Sequence, residues 1–130
     1  MNWIKSTEYY DTYSCTEYFN EYKYTILIWV EKSHKSVKYW MGVSSGKKRR
    51  ELEIFEEKED KSLGGIEALL WVRNCFFDFP LFYAPYVKGR KEYLCVSWAD
   101  TRRKNIYKRL EKYGFRFMVD QGQEVLIKKL

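Results

Sequence analysis

The sequence contains few of the residues on which hydrolytic and metal-dependent sites depend. It has one histidine, His34, and three widely spaced cysteines, Cys15, Cys75 and Cys95. A zinc site requires closely grouped histidine or cysteine ligands, and a serine or cysteine triad requires a histidine beside its nucleophile. His34 stands in a predicted hairpin turn, where we expect a solvated side chain. The sequence therefore predicts no metal site and no hydrolase triad.

Long apolar runs are also absent. No apolar stretch approaches the roughly 20 residues of a membrane helix, and the N-terminal residues MNWIKSTEYY contain no apolar signal core. The odd number of cysteines, two of them inside apolar segments, indicates reduced and mostly buried thiols. We therefore expect a cytoplasmic protein without a membrane partner.

Proline and glycine are scarce, and neither a Walker A nor a GxGxxG phosphate-binding pattern occurs. Two prolines and seven glycines in 130 residues, 45% of them hydrophobic, exclude a disordered or collagen-like chain. This length allows one core of substantial size but not two independent ones. We expect a single domain over residues 1–130, with a variable N-terminal segment, 1–23, packed on a core formed by 24–130.

Positive charge and aromatic residues are abundant. The formal net charge is +6, and aromatic residues make up 19% of the chain, with twelve tyrosines concentrated toward the N-terminus. Clustered cations raise the local potential and favour phosphate groups or acidic protein surfaces, although such runs also form ordinary solvated helix faces. An acidic protein surface and a nucleic acid are thus the two candidate partners. The predicted partner-binding residues are Lys47, Lys48, Arg49, Arg50, Arg102, Arg103 and Lys104.

Apolar periodicity predicts an α+β fold with a mixed β-sheet. After an ill-defined N-terminal segment, the predicted order is β-β-β-α-β-α-β-β. The predicted strands cover 24–31, 37–43, 52–55, 93–98, 115–119 and 124–128. One helix covers 66–79 and ends at Pro80, and the other runs from Asp100 or Thr101 to a C-terminal Gly114. The residues expected on core-facing helix stripes are Ile66, Leu69, Leu70, Phe76, Ile106 and Leu110.

The first helix should connect two neighbouring strands. Because a helix between adjacent strands of one sheet is a crossover connection, we expect strands 52–55 and 93–98 to be parallel neighbours. The pair Gly64-Gly65 precedes this helix, where unpaired backbone N–H groups and the positive end of the helix dipole suit an anion. The same glycines can simply turn the chain, so both interpretations stay open.

The segment Lys61–Leu70 (KSLGGIEALL) resembles the pyrophosphate-binding turn of the GNAT superfamily of N-acetyltransferases. The family pattern is (Gln/Arg)-x-x-Gly-x-(Gly/Ala) running into Leu-Leu, and Gly64 matches its first glycine in register. Lys61 stands at the Gln/Arg position and Ile66 at the second small position. The turn is therefore a degenerate version of the family pattern.

A second likeness lies at the end of the chain, where Gly114-Phe115 match the family's Gly-Phe before its final hairpin. At the family's usual tyrosine position, four residues before that glycine, this chain has Leu110, with Tyr107 one turn earlier. The likeness covers roughly residues 24–130 at the level of topology, and it implies a GNAT-like fold for the predicted β-β-β-α-β-α-β-β order.

The resemblance implies direct attack of an amine on the thioester of acetyl-CoA. Backbone N–H groups of Leu63, Gly64, Gly65 and Ile66 would hold the pyrophosphate, and a main-chain N–H of strand 52–55 would polarise the thioester carbonyl. The implied general base is Glu53 or Glu56, and the implied proton donor to the leaving thiolate is Tyr107.

A second hypothesis keeps the fold without catalysis. In this interpretation the chain is a small basic binding protein, which uses its tyrosine-rich N-terminus and its basic clusters to bind or inhibit a protein or a nucleic acid. Its lysine- and tyrosine-rich composition is similar to that of small proteins of phages and mobile elements. The degenerate glycine turn and the leucine at the family's tyrosine position favour this alternative.

Overall fold

The structure, a computed structural model, describes residues 2–47, 53–54, 65–98 and 101–130. Within these residues it contains one sheet of eight strands and two α-helices. The strands are β1 (Ile4–Lys5), β2 (Thr12–Phe19), β3 (Tyr22–Lys32), β4 (Ser36–Lys47), β5 (Glu53–Ile54), β6 (Lys91–Val96), β7 (Arg116–Asp120) and β8 (Gln123–Lys129). The helices are α1 (Gly65–Tyr83), followed by a 3₁₀ turn (Ala84–Tyr86), and α2 (Thr101–Tyr107), continued by a 3₁₀ segment (Lys108–Tyr113).

The strands form a mixed sheet in the order β1-β2-β3-β4-β6-β8-β7, with β5 paired to β4. The described strand pairs are antiparallel except β4 with β6, which are parallel because α1 crosses over between them. The prediction of an α+β fold with a mixed sheet is confirmed.

The predicted pairing of strands 52–55 and 93–98 is wrong. The parallel partner of β6 is β4, from Ser36 opposite Lys91 to Met41 opposite Val96, whereas β5 is a two-residue strand antiparallel to β4. The error arose because β5 pairs with β4 only at Ser44 and Ser45, so the edge of β4 from Ser36 to Met41 is taken by β6. β4 also extends beyond its predicted end at Val43. It continues to Lys47, since its polar second half pairs with the first residues of β3.

The hairpin of β3 and β4 follows its sequence pattern closely. Ser33 closes the turn, where its backbone N–H donates to the carbonyl oxygen of Ser36 (2.8 Å), and His34 is exposed as predicted. The apolar residues at alternate positions of β4 are all buried, and they form the centre of the core, because alternate side chains of a strand share one face. They are Val37, Tyr39, Met41 and Val43.

The N-terminal segment is better ordered than its mixed pattern predicted. β2 forms a hairpin with β3 over its whole length, and the tight turn has a positive φ of 58° at Asn20. Tyr13 and Cys15 are buried in the core, and Trp3 packs edge-on to Phe79 with ring centroids 4.8 Å apart. The segment 1–23 thus contributes one edge of the sheet.

Helix α1 continues past Pro80 to Tyr83, so the predicted helix end is wrong. An internal proline removes one helical hydrogen bond and costs about 3 kcal/mol. The last turn is held by buried aromatic rings, because Phe79 and Tyr83 are almost completely inaccessible and stack with centroids 5.7 Å apart. Burying large side chains of this kind offsets such a cost.

The predicted core stripes of the helices are correct in part. Phe76 is buried, and Leu69 and Leu110 are partly buried against the core, as predicted. Leu70 is 45% exposed, so its assignment to the core is wrong. Leu70 lies on the border of the apolar stripe of α1, where the rotation of the helix about its axis determines whether a side chain faces the core or the solvent. Ile66 and Ile106 lie in α1 and α2 respectively.

The C-terminal elements agree with prediction except that the second helix is shorter. Gly114 ends it with a φ of 97°, the left-handed conformation of a C-terminal glycine, but the α-helix itself stops at Tyr107 and tightens into the 3₁₀ segment. β7 and β8 form the final hairpin, whose two turn residues, Gln121 and Gly122, have φ values of 52° and 80°. This is the geometry of a type I′ hairpin turn.

Both helices pack on one face of the sheet, where they form the main core with β2, β3, β4 and β6. The opposite face carries a smaller cluster of Trp40, Cys95 and Val125, flanked by Tyr93 and Ile127. We call this second face the open face, since no described helix covers it. All three cysteines are buried and unpaired, and burial raises the pKa of the Cys95 thiol to about 12. No described helix is both long and apolar enough to cross a membrane.

Candidate functional site

The orientation of α1 on the sheet fixes where a ligand can approach the parallel strands. The rings of Phe79 and Tyr83 contact Tyr39, with centroids 5.5 and 5.7 Å apart, while Leu69 and Phe76 line a cavity together with Met41. α1 therefore runs antiparallel to β4, and its earlier turns lie over the last parallel residue pair, Met41 and Val96. Ligands of α/β proteins commonly bind outside the carboxyl ends of parallel strands.

A cleft of about 310 Å³ lies at this position, between α1 and the segment formed by α2 and its 3₁₀ continuation. We call it the interhelical cleft. Its walls are largely apolar, and its described polar residues include three cations and no carboxylate. The lining residues are Met41, Leu69, Leu70, Val72, Phe76, Tyr107 and Leu110 on the walls, and Arg73, Arg109, Lys112 and Tyr113 among them.

Arg73 and Tyr113 join the two helical segments across the cleft. Nη1 of Arg73 donates a hydrogen bond of 2.8 Å to the Tyr113 hydroxyl, and the guanidinium carbon lies 5.4 Å from the centre of the tyrosine ring. Nζ of Lys112 approaches the same ring at 5.3 Å. The hydrogen bond from Arg73, with the nearby charges of Arg73 and Lys112, lowers the pKa of Tyr113. The cleft is therefore electropositive where it meets solvent, which suits an anionic group.

The edge of β4 changes its partner next to the cleft. β6 pairs with β4 up to Met41, and β5 pairs with it at Ser44 and Ser45. Between these two ladders, Gly42 and Val43 have no cross-strand partner on this edge among the described residues. Unpaired backbone groups at such an edge can form hydrogen bonds with a ligand.

Only one of the predicted catalytic residues is described in this cleft. Tyr107, at the end of α2, is buried and lines it. Glu53 lies on β5 opposite Ser45, about 13 Å along β4 from the level of Met41. Glu56 lies outside the described residues, as do Leu63 and Gly64. Gly65 and Ile66 form the beginning of α1.

The predicted partner-binding residues are distributed over three places. Arg102 and Arg103 lie in the first turn of α2, and Lys47 is the last residue of β4, whereas 48–50 lie outside the described residues. Nζ of Lys104 lies 2.6 Å from Oε1 of Glu124 and 5.4 Å from the centre of the Phe117 ring. The charge of Lys104 is thus already compensated within the fold, although the exposed position of this pair limits its contribution to stability.

The site residues predicted from the sequence do not include Arg73, Arg109, Lys112 or Tyr113. Arg73 carried a recognisable signal, because it is a cation within the apolar stripe of α1. Arg109 and Lys112 belong to a basic helix on which sequence cannot distinguish the side facing a cleft from the side facing solvent.

Comparison with known proteins does not assign a function to the interhelical cleft. No family model, no curated protein and no solved structure matches the chain. Among the described residues, no group of three or more His, Cys, Asp or Glu side chains is placed to hold a metal ion. Any function must therefore be argued from the cleft and the surfaces themselves.

Proposed function

We propose that the interhelical cleft binds an acyl-CoA and that the chain is a GNAT-like N-acyltransferase using acetyl-CoA. The observation that carries this proposal is the position of the cleft. It lies at the carboxyl ends of the parallel pair β4 and β6, between the crossover helix α1 and α2, with apolar walls and three cations. The resemblance of Lys61–Leu70 and Gly114-Phe115 to the GNAT pattern supports the same ligand.

The residues present fit the two chemical parts of this ligand. Leu69, Phe76 and Leu110 provide apolar walls for the acyl group and the thiol-bearing arm. Arg73 and Arg109 can form charge-assisted hydrogen bonds with phosphate oxygens. A CoA thioester is larger than the 310 Å³ of the cleft, so its nucleotide would extend outward past these cations.

In this proposal an acceptor amine forms a bond to the thioester carbonyl carbon and the carbon–sulfur bond breaks. Tyr107 donates a proton to the departing thiolate, consistent with its place in the cleft wall. The main-chain N–H that polarises the carbonyl belongs to Gly42 or Val43, because β4 and not β5 is the parallel partner of β6. The GNAT resemblance gives Glu53 or Glu56 the role of base, and Glu53, about 13 Å along β4 from the level of Met41, would receive the amine proton through a chain of several waters.

Calorimetry with acetyl-CoA tests the binding step. We expect heat of binding at millimolar ligand or below, and about 2.7 kcal/mol of added stability at a hundred times the dissociation constant. Arg73→Ala should weaken binding about tenfold or more, because a charged hydrogen bond is worth about 1.5–3 kcal/mol. The matched control is Arg90→Ala at the opposite end of β6, which should bind normally. No heat at millimolar ligand refutes the proposal.

Release of free CoA from acetyl-CoA in the presence of amines tests the chemical step. Tyr107→Phe keeps the ring that fills the cleft wall and removes its hydroxyl, so binding should persist while turnover falls about 100-fold or more. Equal turnover of the two proteins would remove Tyr107 from the mechanism.

The alternative function is that of a non-catalytic basic binding protein. It is favoured by the absence of a carboxylate among the described residues that line the cleft. In this case Arg102 and Arg103 in α2, with the basic residues 47–50, contact an acidic protein or a nucleic acid. This alternative predicts no heat of binding with millimolar acetyl-CoA, so that result would favour it over the enzyme.

A further inference from the structure

The open face of the sheet presents aromatic side chains on its central strands. Trp29 of β3, Trp40 of β4, Cys95 of β6 and Ile127 of β8 stand opposite one another in a single row across these four strands. Trp40 is nearly buried, but Trp29 remains 39% exposed. Leu27, two residues earlier on β3 and therefore on the same face, is 36% exposed, and contiguous exposed apolar residues commonly mark a contact surface.

The position of Trp29 depends on a glycine in the neighbouring strand. A β-carbon at Gly42 would lie only 3.1 Å from Cζ3 of Trp29, so the indole occupies the space that a side chain would fill. No positive φ is involved at this glycine, so its role is to make room for the ring. The indole therefore leans across β4 and presents the rest of its surface outward.

A second row on the same face combines an aromatic ring with cations. Lys38 of β4, Tyr93 of β6 and Lys129 of β8 are opposite one another, so the tyrosine has a lysine on each side. Tyr93 is one row and two strands away from Trp29. Strand geometry places the Cα atoms of the two residues about 12 Å apart, far enough for each ring to contact a different base.

Tyr93 also borders a basic concavity of about 550 Å³ at the amino ends of β4 and β6. The turn before β4 and the loop before β6 meet here, where the backbone N–H of Lys91 donates to the carbonyl oxygen of Lys35 at 3.0 Å. Lys88 and Gly89 adopt left-handed turns with φ values of 54° and 80°. The described lining residues include no carboxylate, and their cations are Lys35, Lys88, Arg90 and Lys91.

We propose that the open face binds a single-stranded polynucleotide, with bases stacked on Trp29 and Tyr93 and phosphates held by the basic concavity. Aromatic side chains on a sheet face combined with a cationic groove are the two features that bind unpaired strands. A duplex has its bases already stacked and offers such a surface no free base face. The net charge of +6 favours the same class of partner.

The two carboxylates near Trp29 are already occupied within the fold. Glu31 accepts a 2.9 Å hydrogen bond from Nε1 of Trp40, and Asp120 lies 3.6 Å from Nζ of Lys38. They line a hollow of about 470 Å³ with Ser97. Their remaining oxygens are available as acceptors for the N–H groups of bases, including the ring N–H of thymine.

Fluorescence anisotropy of a labelled oligothymidylate, about 12 nucleotides long, tests the proposal. We expect binding at low salt that weakens with a log–log slope of about −2 if three phosphates are contacted. Trp29→Ala and Tyr93→Ala should each raise Kd about 5- to 150-fold, whereas Trp29→Phe should retain most of the affinity because it keeps a stacking surface. The matched aromatic control is the exposed Tyr86, and Tyr86→Ala should leave Kd unchanged.

Charge variants separate this surface from the interhelical cleft. Lys35→Glu and Arg90→Ala should weaken binding and reduce the salt slope by about 0.7 per lost phosphate contact, and Arg73→Ala should change neither. The same oligonucleotide in duplex form should bind more weakly. Equal binding of the duplex, unchanged Kd in both aromatic variants, or no binding at about 25 mM salt would each overturn the proposal. Equal competition by polyglutamate would assign the surface to acidic proteins instead.

Discussion

The buried carboxylate of Asp11 offers a quantitative test of what holds the C-terminal end of α1 to the sheet. Asp11 is 7% exposed, and its oxygens accept hydrogen bonds from the hydroxyls of Tyr83 (2.7 Å) and Tyr13 (3.2 Å). Nζ of Lys32 lies 3.6 Å from the same carboxylate. Because Tyr83 belongs to α1 and Tyr13 to β2, loss of the carboxylate should loosen the packing of the helix on the N-terminal hairpin.

The expected loss of stability follows from the hydrogen bonds that Tyr13 and Tyr83 would lose if the carboxylate were removed. Each hydrogen bond to a charged group contributes about 1.5–3 kcal/mol, so Asp11→Ala should lower the free energy of unfolding by about 3–6 kcal/mol. The positive φ of 48° adds roughly 1 kcal/mol for alanine, whereas asparagine tolerates this conformation. The ion pair with the partly exposed Lys32 should contribute at most about 1 kcal/mol. Asp11→Asn keeps one acceptor oxygen and should cost about 1.5–3 kcal/mol.

Urea denaturation followed by tryptophan fluorescence measures these differences. Since small domains are stable by only about 5–15 kcal/mol, Asp11→Asn is the variant to compare first. A double-mutant cycle with Tyr83→Phe should give a coupling energy of about 1 kcal/mol or more, because the two groups are in direct contact. The control Tyr86→Phe changes an exposed tyrosine and should stay within about 0.5 kcal/mol. A coupling near zero, or a loss under 1 kcal/mol for Asp11→Ala, refutes this account.

Two further predictions concern titration and backbone conformation. Burial and, secondarily, Asp11 raise the pKa of Tyr13 to about 12, and burial also raises the pKa of Tyr39 and Tyr83. The folded state therefore holds protons that the unfolded state releases near pH 10, so the free energy of unfolding should fall from pH 10 to 12. Tyrosinate absorbance should show that these three rings ionise only when the protein unfolds. Gly114→Ala places a β-carbon at a φ of 97° and should cost about 1–2 kcal/mol in urea denaturation, and an unchanged midpoint would contradict the strain argument.

Local sequence patterns predicted those parts of the fold in which each residue's type reflects its own burial or backbone conformation. The alternation of Val37, Tyr39 and Met41 and the glycine at the end of the second helical segment could be read directly, because each reflects a local preference. The continuation of α1 through Pro80 could not, since it depends on the burial of Tyr83 against Asp11, which is 72 residues away in the chain. The low helix propensity of Pro80 gives no information about that distant contact.

The candidate site was harder to predict than the fold, because its residues come from distant parts of the chain. The cleft joins Met41 of β4 to Arg73 of α1 and Lys112 after α2. Its place in the sheet follows from the pairing of β4 with β6, which was assigned to the wrong strand because the sequence does not show that β5 pairs only with Ser44 and Ser45, in the polar end of β4. Such a segment is held in the sheet by its neighbour β3 and not by its own propensity.

The two proposed sites differ in chemistry because they lie on opposite faces of the sheet, and their cations lie at opposite ends of the parallel strands. At the carboxyl ends of β4 and β6 the helices form apolar walls, so a ligand that binds there should contain both an anionic group and an apolar group. At the amino ends, no described helix covers Tyr93, and the cations of the loops meet solvent directly. A ligand there must supply flat rings and phosphates on an extended backbone. The two surfaces therefore select different ligands, and reciprocal effects of Arg73→Ala and Arg90→Ala would establish that each surface acts on its own.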